Sequence, residues 1–125
     1  MRIGELARRT GVSVRALRYY EEQGLLSADR SPNGYREYDE SAVDRVDQIQ
    51  LLYSAGLCSA KIAELLPCIS GNRERLVPSP GLVDSLKVEH RRIQRQIEEM
   101  RSSLRVLESV IEAANNRSHS DEPDP

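Results

Sequence analysis

Apolar residues recur at helical spacing in the first part of the chain. From Ile3 to Thr10 they lie three or four positions apart, which predicts a first helix over about that range. A short glycine-containing turn follows. Ser13 can then cap a second helix by accepting a hydrogen bond from a backbone amide two or three residues on. Gly24 can end that helix in a left-handed conformation. The pattern therefore predicts a helix-turn-helix.

The second predicted helix has one apolar side and one basic, aromatic side. At 100° per residue, Val14 and Leu17 share the apolar side. The other side carries Arg15, Ala16 and Tyr19, with Arg18 at its edge. Packing alone explains this outward arginine–tyrosine surface poorly, and duplex DNA is the leading candidate for its partner. A solvated arginine-rich face on an ordinary helix is the alternative.

A hairpin is predicted after the second helix. Leu26–Arg30 can form one strand, Ser31–Gly34 a turn and Tyr35–Tyr38 the returning strand. The turn contains Asn-Gly, a strong hairpin signal because both residues tolerate positive φ. We expect Arg36 and Tyr38 on opposite faces of the returning strand. The hairpin is too short to stand alone and must lean on the helices as a wing.

Two further helices are predicted after the wing. Asp39 can cap the third helix and Gly56 can end it. Its inward stripe contains Val43, Val46, Ile49 and Tyr53, with Leu52 beside it. Ser59 can cap a fourth helix, Ala60–Leu66, which a proline stops. The stretch Ile69–Val77 is predicted to be a loop that closes the globular part.

The last third of the chain has the periodicity of a coiled coil. Ser79 and Pro80 supply an N-cap and a first-position proline for a helix expected to end at Ala114. Its seam positions alternate four and three apart: Leu86, His90, Ile93, Ile97, Met100, Leu104, Leu107 and Ile111. Such a long stripe needs a partner, so this helix is predicted to dimerise. Docking back onto the N-terminal helices is the alternative.

These patterns predict a mostly α-helical fold in three parts. Residues 1–78 form a winged helix-turn-helix domain, residues 79–114 a coiled-coil dimerisation helix, and residues 115–125 a disordered acidic tail.

Charge distribution matters more than the total for this chain. The 125 residues carry a net charge of −2, which argues against a uniformly basic nucleic-acid binder. The first 20 residues, however, hold five arginines against one glutamate, which fits local phosphate contact. No membrane-spanning run or signal-peptide pattern occurs in the sequence, so a cytoplasmic location is expected.

Two motifs at a set separation resemble those of the MerR family of bacterial transcription regulators. They are R-Y-Y-E-E-Q-G-L-L at 18–26 and N-G-Y-R-E-Y-D at 33–39, supported by I-G-E-L-A at 3–7. The resemblance covers residues 1–114. It implies a homodimer with antiparallel long helices that binds a palindromic promoter site. It also implies that the dimer distorts an overlong promoter spacer for RNA polymerase.

Residue roles follow from the matching positions and from helix geometry. The predicted DNA-binding set is Ser13, Arg15, Ala16, Arg18, Tyr19, Tyr20, Arg36 and Tyr38. Arg15 and Ala16 are expected to meet base edges, since arginine pairs with guanine and alanine contacts the thymine methyl. Positions matching the family's phosphate-holding or wing-bracing residues are Arg18, Tyr19, Tyr20, Arg36 and Tyr38. For Tyr20 and Tyr38, packing is an equally good interpretation.

The remaining candidate groups are two cysteines and one histidine. About ten residues of predicted helix keep Cys58 and Cys68 roughly 15 Å apart, too far for a disulfide or a shared metal. We interpret both cysteines as small buried residues; a thiol sensor is the alternative. His90 is expected to set the seam register, with a ligand or pH-switch role as the alternative.

Neither a metal nor a cofactor is expected. The cysteine patterns of the family's metal-sensing and iron–sulfur branches are missing, so the effector is unknown. No catalytic constellation occurs at useful spacing, and the chain is not expected to be an enzyme. Two alternative functions are an architectural or excisionase-like DNA binder without effector sensing, and a coiled-coil interaction protein.

Overall fold

The computed structural model describes residues 1–72 and 75–120. It divides into two compact units, Met1–Val83 and Asp84–Pro125. In chain order the elements are α1 (Ile3–Thr10), α2 (Val14–Glu22), β1 (Asp29–Arg30), β2 (Arg36–Glu37), α3 (Ser41–Ser54), α4 (Ser59–Leu65), a 3₁₀ turn (Leu66–Cys68), β3 (Ile69–Asn72), β4 (Arg75–Pro78) and α5 (Leu82–Ser120). The predicted mostly helical class is confirmed.

The core of the first unit is built by the apolar faces of its four helices. The side chains with the least exposure come from α1, α2, α3 and α4: Leu6, Leu17, Val46, Ile49 and Ile62. Gly11 links α1 to α2 with φ of +73°, a left-handed conformation that closes the turn without Cβ strain. The predicted helix-turn-helix thus shares one hydrophobic core with α3 and α4.

The wing strands are shorter than the sequence predicts. β1 and β2 pair antiparallel through two residue pairs, Asp29 with Glu37 and Arg30 with Arg36. Leu26, expected to begin the first strand, is instead buried in the core. The turn is closed by the Gly34 amide, which donates to the Ser31 carbonyl at 2.9 Å. With only two pairs, the wing depends on contacts with the rest of the domain.

The starts of α3 and α4 differ by one residue from prediction. Glu40 occupies the N-cap position of α3 without a side-chain bond. The Asp39 carboxylate one residue earlier accepts from the Ser41 hydroxyl at 2.8 Å. Cys58, not Ser59, is the N-cap of α4. The Ser59 hydroxyl is hydrogen-bonded to the Tyr53 hydroxyl.

The predicted loop Ile69–Val77 is wrong, because this stretch contains a second hairpin. β3 and β4 pair antiparallel from Ile69 with Pro78 to Asn72 with Arg75. Gly71 has φ of +83°, and a Cβ at this position would lie 2.1 Å from the Arg75 carbonyl oxygen. The buried Ile69 anchors the hairpin in the core.

The long helix α5 begins later and continues further than predicted. Ser79 does not cap it. Its hydroxyl and its amide both donate to the Cys68 carbonyl at 3.0 Å. The helix begins at Leu82 and continues through Ser120, past the expected end at Ala114. The prediction of a disordered tail over 115–125 is therefore wrong for residues 115–120, which continue the helix, and residues 121–125 lie outside the described residues. No helix in the described part of the chain is both long and apolar enough to span a bilayer.

Candidate nucleic-acid interface

Helix α2 packs on the core with one face and exposes the other face to solvent. The Ser13 hydroxyl accepts from the Ala16 amide at 3.1 Å, which confirms the predicted cap. Leu17 holds the helix to the core with no exposed surface. Arg15 and Arg18 are exposed, and among the described residues neither forms an ion pair. Two guanidinium groups are therefore left available to an outside anion.

The aromatic side chains of α2 divide between surface and core. Tyr19 is 47% exposed, whereas Tyr20 is 8% exposed. The Tyr20 ring stacks on Tyr53 of α3, with centroids 5.8 Å apart and planes 23° apart. Burial, followed by the nearby Tyr53 hydroxyl, raises the pKa of Tyr20. This position favours the packing interpretation of Tyr20. Ala16 is half-buried beside the exposed arginines.

The wing is tied to α2 by a residue that the sequence interpretation does not single out, Glu21. One oxygen of its carboxylate accepts from Arg36 Nη1 at 2.7 Å. The other oxygen accepts from the hydroxyl of Tyr38, which is 2% exposed. Glu21 thus fixes the direction in which β2 leaves the domain.

The expectation that Arg36 and Tyr38 lie on opposite faces is wrong. Residues two apart on a strand share a face, and both side chains reach the same carboxylate of Glu21. The two-residue spacing of Arg36 and Tyr38 is the sequence signal that both can bind one acidic partner on α2. Arg36 keeps 54% of its side chain exposed despite the ion pair, so it can still meet a phosphate.

The tip and base of the wing make further contacts. The Arg2 guanidinium lies 4.2 Å from the centroid of the Tyr35 ring, a favourable cation–π arrangement. At the base, the Met1 carbonyl accepts from the Tyr38 amide at 2.7 Å, and the Met1 amino group donates to the Tyr38 carbonyl at 2.8 Å. The segment before α1 thereby extends the backbone pairing of the wing.

An ion pair joins α1 to the start of α3. Arg9 Nη1 lies 2.7 Å from Glu40 Oε1. The hydrogen bond from Arg9 lowers the pKa of Glu40, and the same contact raises the pKa of Arg9. The pKa of Asp39 is lowered by hydrogen bonds from the Ser41 hydroxyl and from the Glu40 and Ser41 amides. These acids stabilise the scaffold and leave the α2 arginines unneutralised.

The predicted seam of α5 is a separate apolar surface. Its C-terminal positions are strongly exposed: Ile97 45%, Met100 71%, Leu104 56%, Leu107 56% and Ile111 53%. His90 is exposed, and Leu86 and Ile93 are half-buried. Val106 and Val110, outside the seam, are 62% and 57% exposed and widen the apolar surface. Large exposed patches of this kind mark interaction sites.

The cysteines are free thiols. Cys58 is exposed and Cys68 is half-buried, so the interpretation of both as buried residues is wrong. In the described ranges, no group of three or more His, Cys, Asp or Glu side chains could hold a metal ion.

A helix-turn-helix with a two-stranded wing tied to its second helix defines a winged helix-turn-helix protein. Residues 1–68 match the family model described as MerR HTH family regulatory protein. The chain belongs to the MerR family of helix-turn-helix transcription regulators, and the resemblance seen in the sequence is confirmed.

Relatives of known name agree with this assignment. Nodulation protein NolA of Bradyrhizobium elkanii is 39% identical over 97 residues, which are 77% of this chain and 40% of NolA. The mercuric resistance operon regulatory protein of Bacillus cereus is 34% identical over 112 residues, covering 89% of this chain and 83% of that protein. The chain thus spans about two fifths of NolA but most of the Bacillus regulator.

The fold agrees with a solved structure. The transcription regulator PbrR691 from Ralstonia metallidurans CH34, crystallised in complex with lead(II), matches with a TM-score of 0.74 and 28% identity. The match covers 90% of this chain and 86% of that one.

Proposed function

We propose that this protein is a cytoplasmic transcription regulator that binds duplex promoter DNA as a homodimer. The observation that carries the proposal is the pair of exposed arginines on α2, Arg15 and Arg18, beside a wing clamped to the same helix by Glu21. A helix with free guanidinium groups on a rigid scaffold is suited to the major groove.

Each predicted DNA-contacting side chain has a role in this proposal. Arg15 and Ala16 meet base edges near the start of α2. Arg18 and Tyr19 hold the phosphates beside the groove, and Arg36 on the wing holds the flanking backbone. Phosphate contacts orient the protein, and base contacts select the sequence. Ser13, Tyr20 and Tyr38 act by positioning, through the cap, the ring stack and the Glu21 clamp.

The seam of α5 joins two copies of the chain into the dimer. Its apolar residues pair with those of another α5, antiparallel, so that two α2 helices face one palindromic site. Burying each aliphatic seam side chain contributes about 1.5–3 kcal/mol, which favours pairing over exposure. The dimer then acts by bending and untwisting the promoter spacer for RNA polymerase. Smooth bending of such a site costs about 1–6 kcal/mol, a range that phosphate contacts can supply.

A salt titration tests the DNA-binding step. Binding of the full chain to a palindromic promoter duplex should weaken by orders of magnitude between about 50 and 200 mM salt, because bound counterions are released from each contacted phosphate. The matched control is a scrambled duplex of equal length and composition, which should bind more weakly at every salt concentration. A salt-independent affinity would remove DNA as the partner and leave a coiled-coil interaction protein.

Transcription in vitro tests the distortion step. The protein should change output from a promoter whose spacer is too long for polymerase. The same promoter with a spacer of ordinary length is the control and should not be activated. Binding and bending without any change in output, with or without cell extract, would instead assign the protein to the architectural or excisionase-like class.

A further inference from the structure

The two strands of the wing consist of charged residues that are sorted by sign. All four residues of β1 and β2 are exposed. The register places Arg30 opposite Arg36 and Asp29 opposite Glu37. Each cross-strand pair therefore joins two charges of the same sign. Like charges directly opposite each other destabilise an antiparallel pair, so this arrangement needs an explanation from outside the hairpin.

The two cross-strand pairs lie on opposite faces of the wing. Side chains of directly opposed residues share a face, and successive residues of a strand alternate between faces. Arg30 and Arg36 thus form a basic face, and Asp29 and Glu37 form an acidic face. The basic face is the one toward α2, because the Arg36 side chain reaches Glu21 on that helix.

The basic pair has the spacing to bind one anion. The Ser31 amide donates to the Tyr35 carbonyl at 2.7 Å. The next pair along the hairpin, Arg30 with Arg36, is therefore of the non-hydrogen-bonded kind. In such pairs the Cα atoms are about 4.5 Å apart and the side chains are closest. Two guanidinium groups on stems of equal length can then bind the same phosphate, each through a fork of N–H donors.

Glu21 balances only one of the two arginines. Its carboxylate is 2.7 Å from Arg36 Nη1, and its other oxygen is bonded to a tyrosine hydroxyl. The exposed side chain of Arg30 has no hydrogen bond or ion pair with any described residue. A positive charge is thus left over on the face of the wing that lies toward α2 and its exposed arginines, Arg15 and Arg18.

The acidic face is also without a balancing charge. In the described part of the chain, no basic side chain pairs with Asp29 or Glu37. Arg2 contacts the wing, but its guanidinium lies 4.2 Å from the centroid of the Tyr35 ring. Two adjacent unpaired carboxylates repel DNA phosphates. Contact between this face and the DNA backbone is therefore unfavourable.

We propose that the wing is a one-sided phosphate clamp, in which Arg30 joins Arg36 in holding a single backbone phosphate while the acidic face excludes the reverse orientation. The inference rests on the proposed DNA-binding function and adds Arg30, which lies between the two sequence motifs and belongs to neither. The bound phosphate removes the repulsion between the two arginines. The acids add a repulsive element against wrong docking, which raises specificity.

A phosphate scan locates the clamp. The probes are duplexes of a promoter sequence selected for binding by the wild-type chain, each with one phosphate per half-site replaced by an uncharged methylphosphonate. Replacing the clamped phosphate should lower wild-type affinity about tenfold, as expected for losing a charge-assisted contact. Arg30→Gln and Arg36→Gln should each reduce that loss to about threefold, at the same position. Reduced losses at two different positions, or an unreduced loss in Arg30→Gln, would overturn the proposal.

A matched variant separates the clamp from the effect of net charge. Arg30→Gln should weaken binding about tenfold for every sequence, because a phosphate contact carries no base information. Arg105→Gln removes the same charge from an exposed position of α5 and should leave the affinity nearly unchanged. Equal losses in both variants would indicate only a general electrostatic attraction and would contradict the clamp.

Glu37→Gln tests the acidic face. It should raise the affinity for a scrambled duplex about fivefold and the affinity for the selected promoter duplex by less, so the ratio of the two affinities falls. Glu112→Gln makes the same charge change at an exposed position of α5 and should leave the ratio at the wild-type value. An unchanged ratio in Glu37→Gln, or the same change in both variants, would refute the role of the acids.

The DNA-free chain supplies the last measurement. Since Arg30→Gln removes a like-charge repulsion, urea unfolding should show a stability equal to or above wild type. A clear loss of stability would make Arg30 a structural residue and overturn the proposal. A wild-type chain that binds no duplex would remove the clamp together with the proposed function. Normal binding by both wild type and Arg30→Gln would remove the clamp alone.

Discussion

Arg36 on strand β2 donates from Nη1 to Oε2 of Glu21 on helix α2, at 2.7 Å. The two residues are 15 positions apart in the chain. The acid is the more buried partner, with 14% of its side chain exposed against 54% for the arginine. Since the other carboxylate oxygen binds the Tyr38 hydroxyl, one side chain sets the position of a wing that has only two residue pairs of its own.

Glu21→Gln should separate wing placement from folding. The amide oxygen still accepts from Tyr38, but the ion pair with Arg36 is lost. Partly exposed ion pairs contribute about 0–1 kcal/mol, so urea unfolding should show a small loss of stability. Promoter affinity, measured by fluorescence anisotropy, should fall by a larger factor than the equilibrium constant for folding. Glu22→Gln, one residue along and exposed, is the control and should leave both quantities near wild type.

Arg15→Ala should change sequence selection. Loss of a bidentate arginine–guanine pair removes about 1–3 kcal/mol, concentrated at one base pair of each half-site. Binding to a set of single-base operator variants measures this. Arg18→Ala is the comparison, expected to weaken all sequences alike because Arg18 holds phosphate. A uniform loss for Arg15→Ala would move Arg15 into the phosphate-binding group.

Leu104→Asp should convert dimers to monomers. Leu104 is 56% exposed on the seam of α5, and a carboxylate there cannot be buried without a partner charge. Sedimentation velocity should show the monomer, and binding to the palindromic duplex should be lost. Ser102→Asp adds the same charge at a position off the seam and should leave the dimer intact. Dimers of normal affinity in Leu104→Asp would place the interface elsewhere.

Asp39→Asn should change how the free energy of unfolding depends on pH in the acid range. Hydrogen bonds from Ser41 lower the pKa of Asp39 in the folded state, so its carboxylate stabilises the fold above the unfolded pKa, about 4. That contribution is lost as pH falls through the lower folded pKa. The stability difference between wild type and Asp39→Asn should therefore be largest near neutral pH and shrink below about pH 4. Urea titrations over this range measure it.

Ser41→Ala provides the internal check for Asp39. It removes the hydroxyl donor that contributes most to the shift, so it should reduce the pH dependence without removing the charge. A wild-type minus Asp39→Asn difference that is the same at pH 3 and pH 7 would mean that the carboxylate is not stabilised in the fold.

The sequence predicts best the features that depend on neighbouring residues. The Ser13 cap acts within one helical turn and is found as expected. The long helix follows from a repeat that needs no knowledge of other elements. The family resemblance follows likewise from short motifs, and the match over residues 1–68 confirms it.

The features that the sequence does not reveal depend on contacts between distant residues. The β3–β4 hairpin is held by Gln48, which bonds Gly71 across 23 positions, and by burial of Ile69. The glycine and the charged residues along 69–77 predict a loop, because local composition carries no information about these contacts with distant residues. The Glu21 clamp is hidden for the same reason, since its partners come from a strand that has almost no pairing of its own.

The positions of the tyrosines, which include the stacked pair Tyr20 and Tyr53, have a practical consequence for spectroscopy. All five tyrosines lie at or before Tyr53, and the sequence has no tryptophan. Intrinsic ultraviolet emission therefore comes entirely from the first unit. Far-ultraviolet dichroism, in contrast, includes the 39 helical residues of α5. A single thermal scan that records both signals can distinguish melting of the N-terminal domain from unwinding of the long helix, without any label.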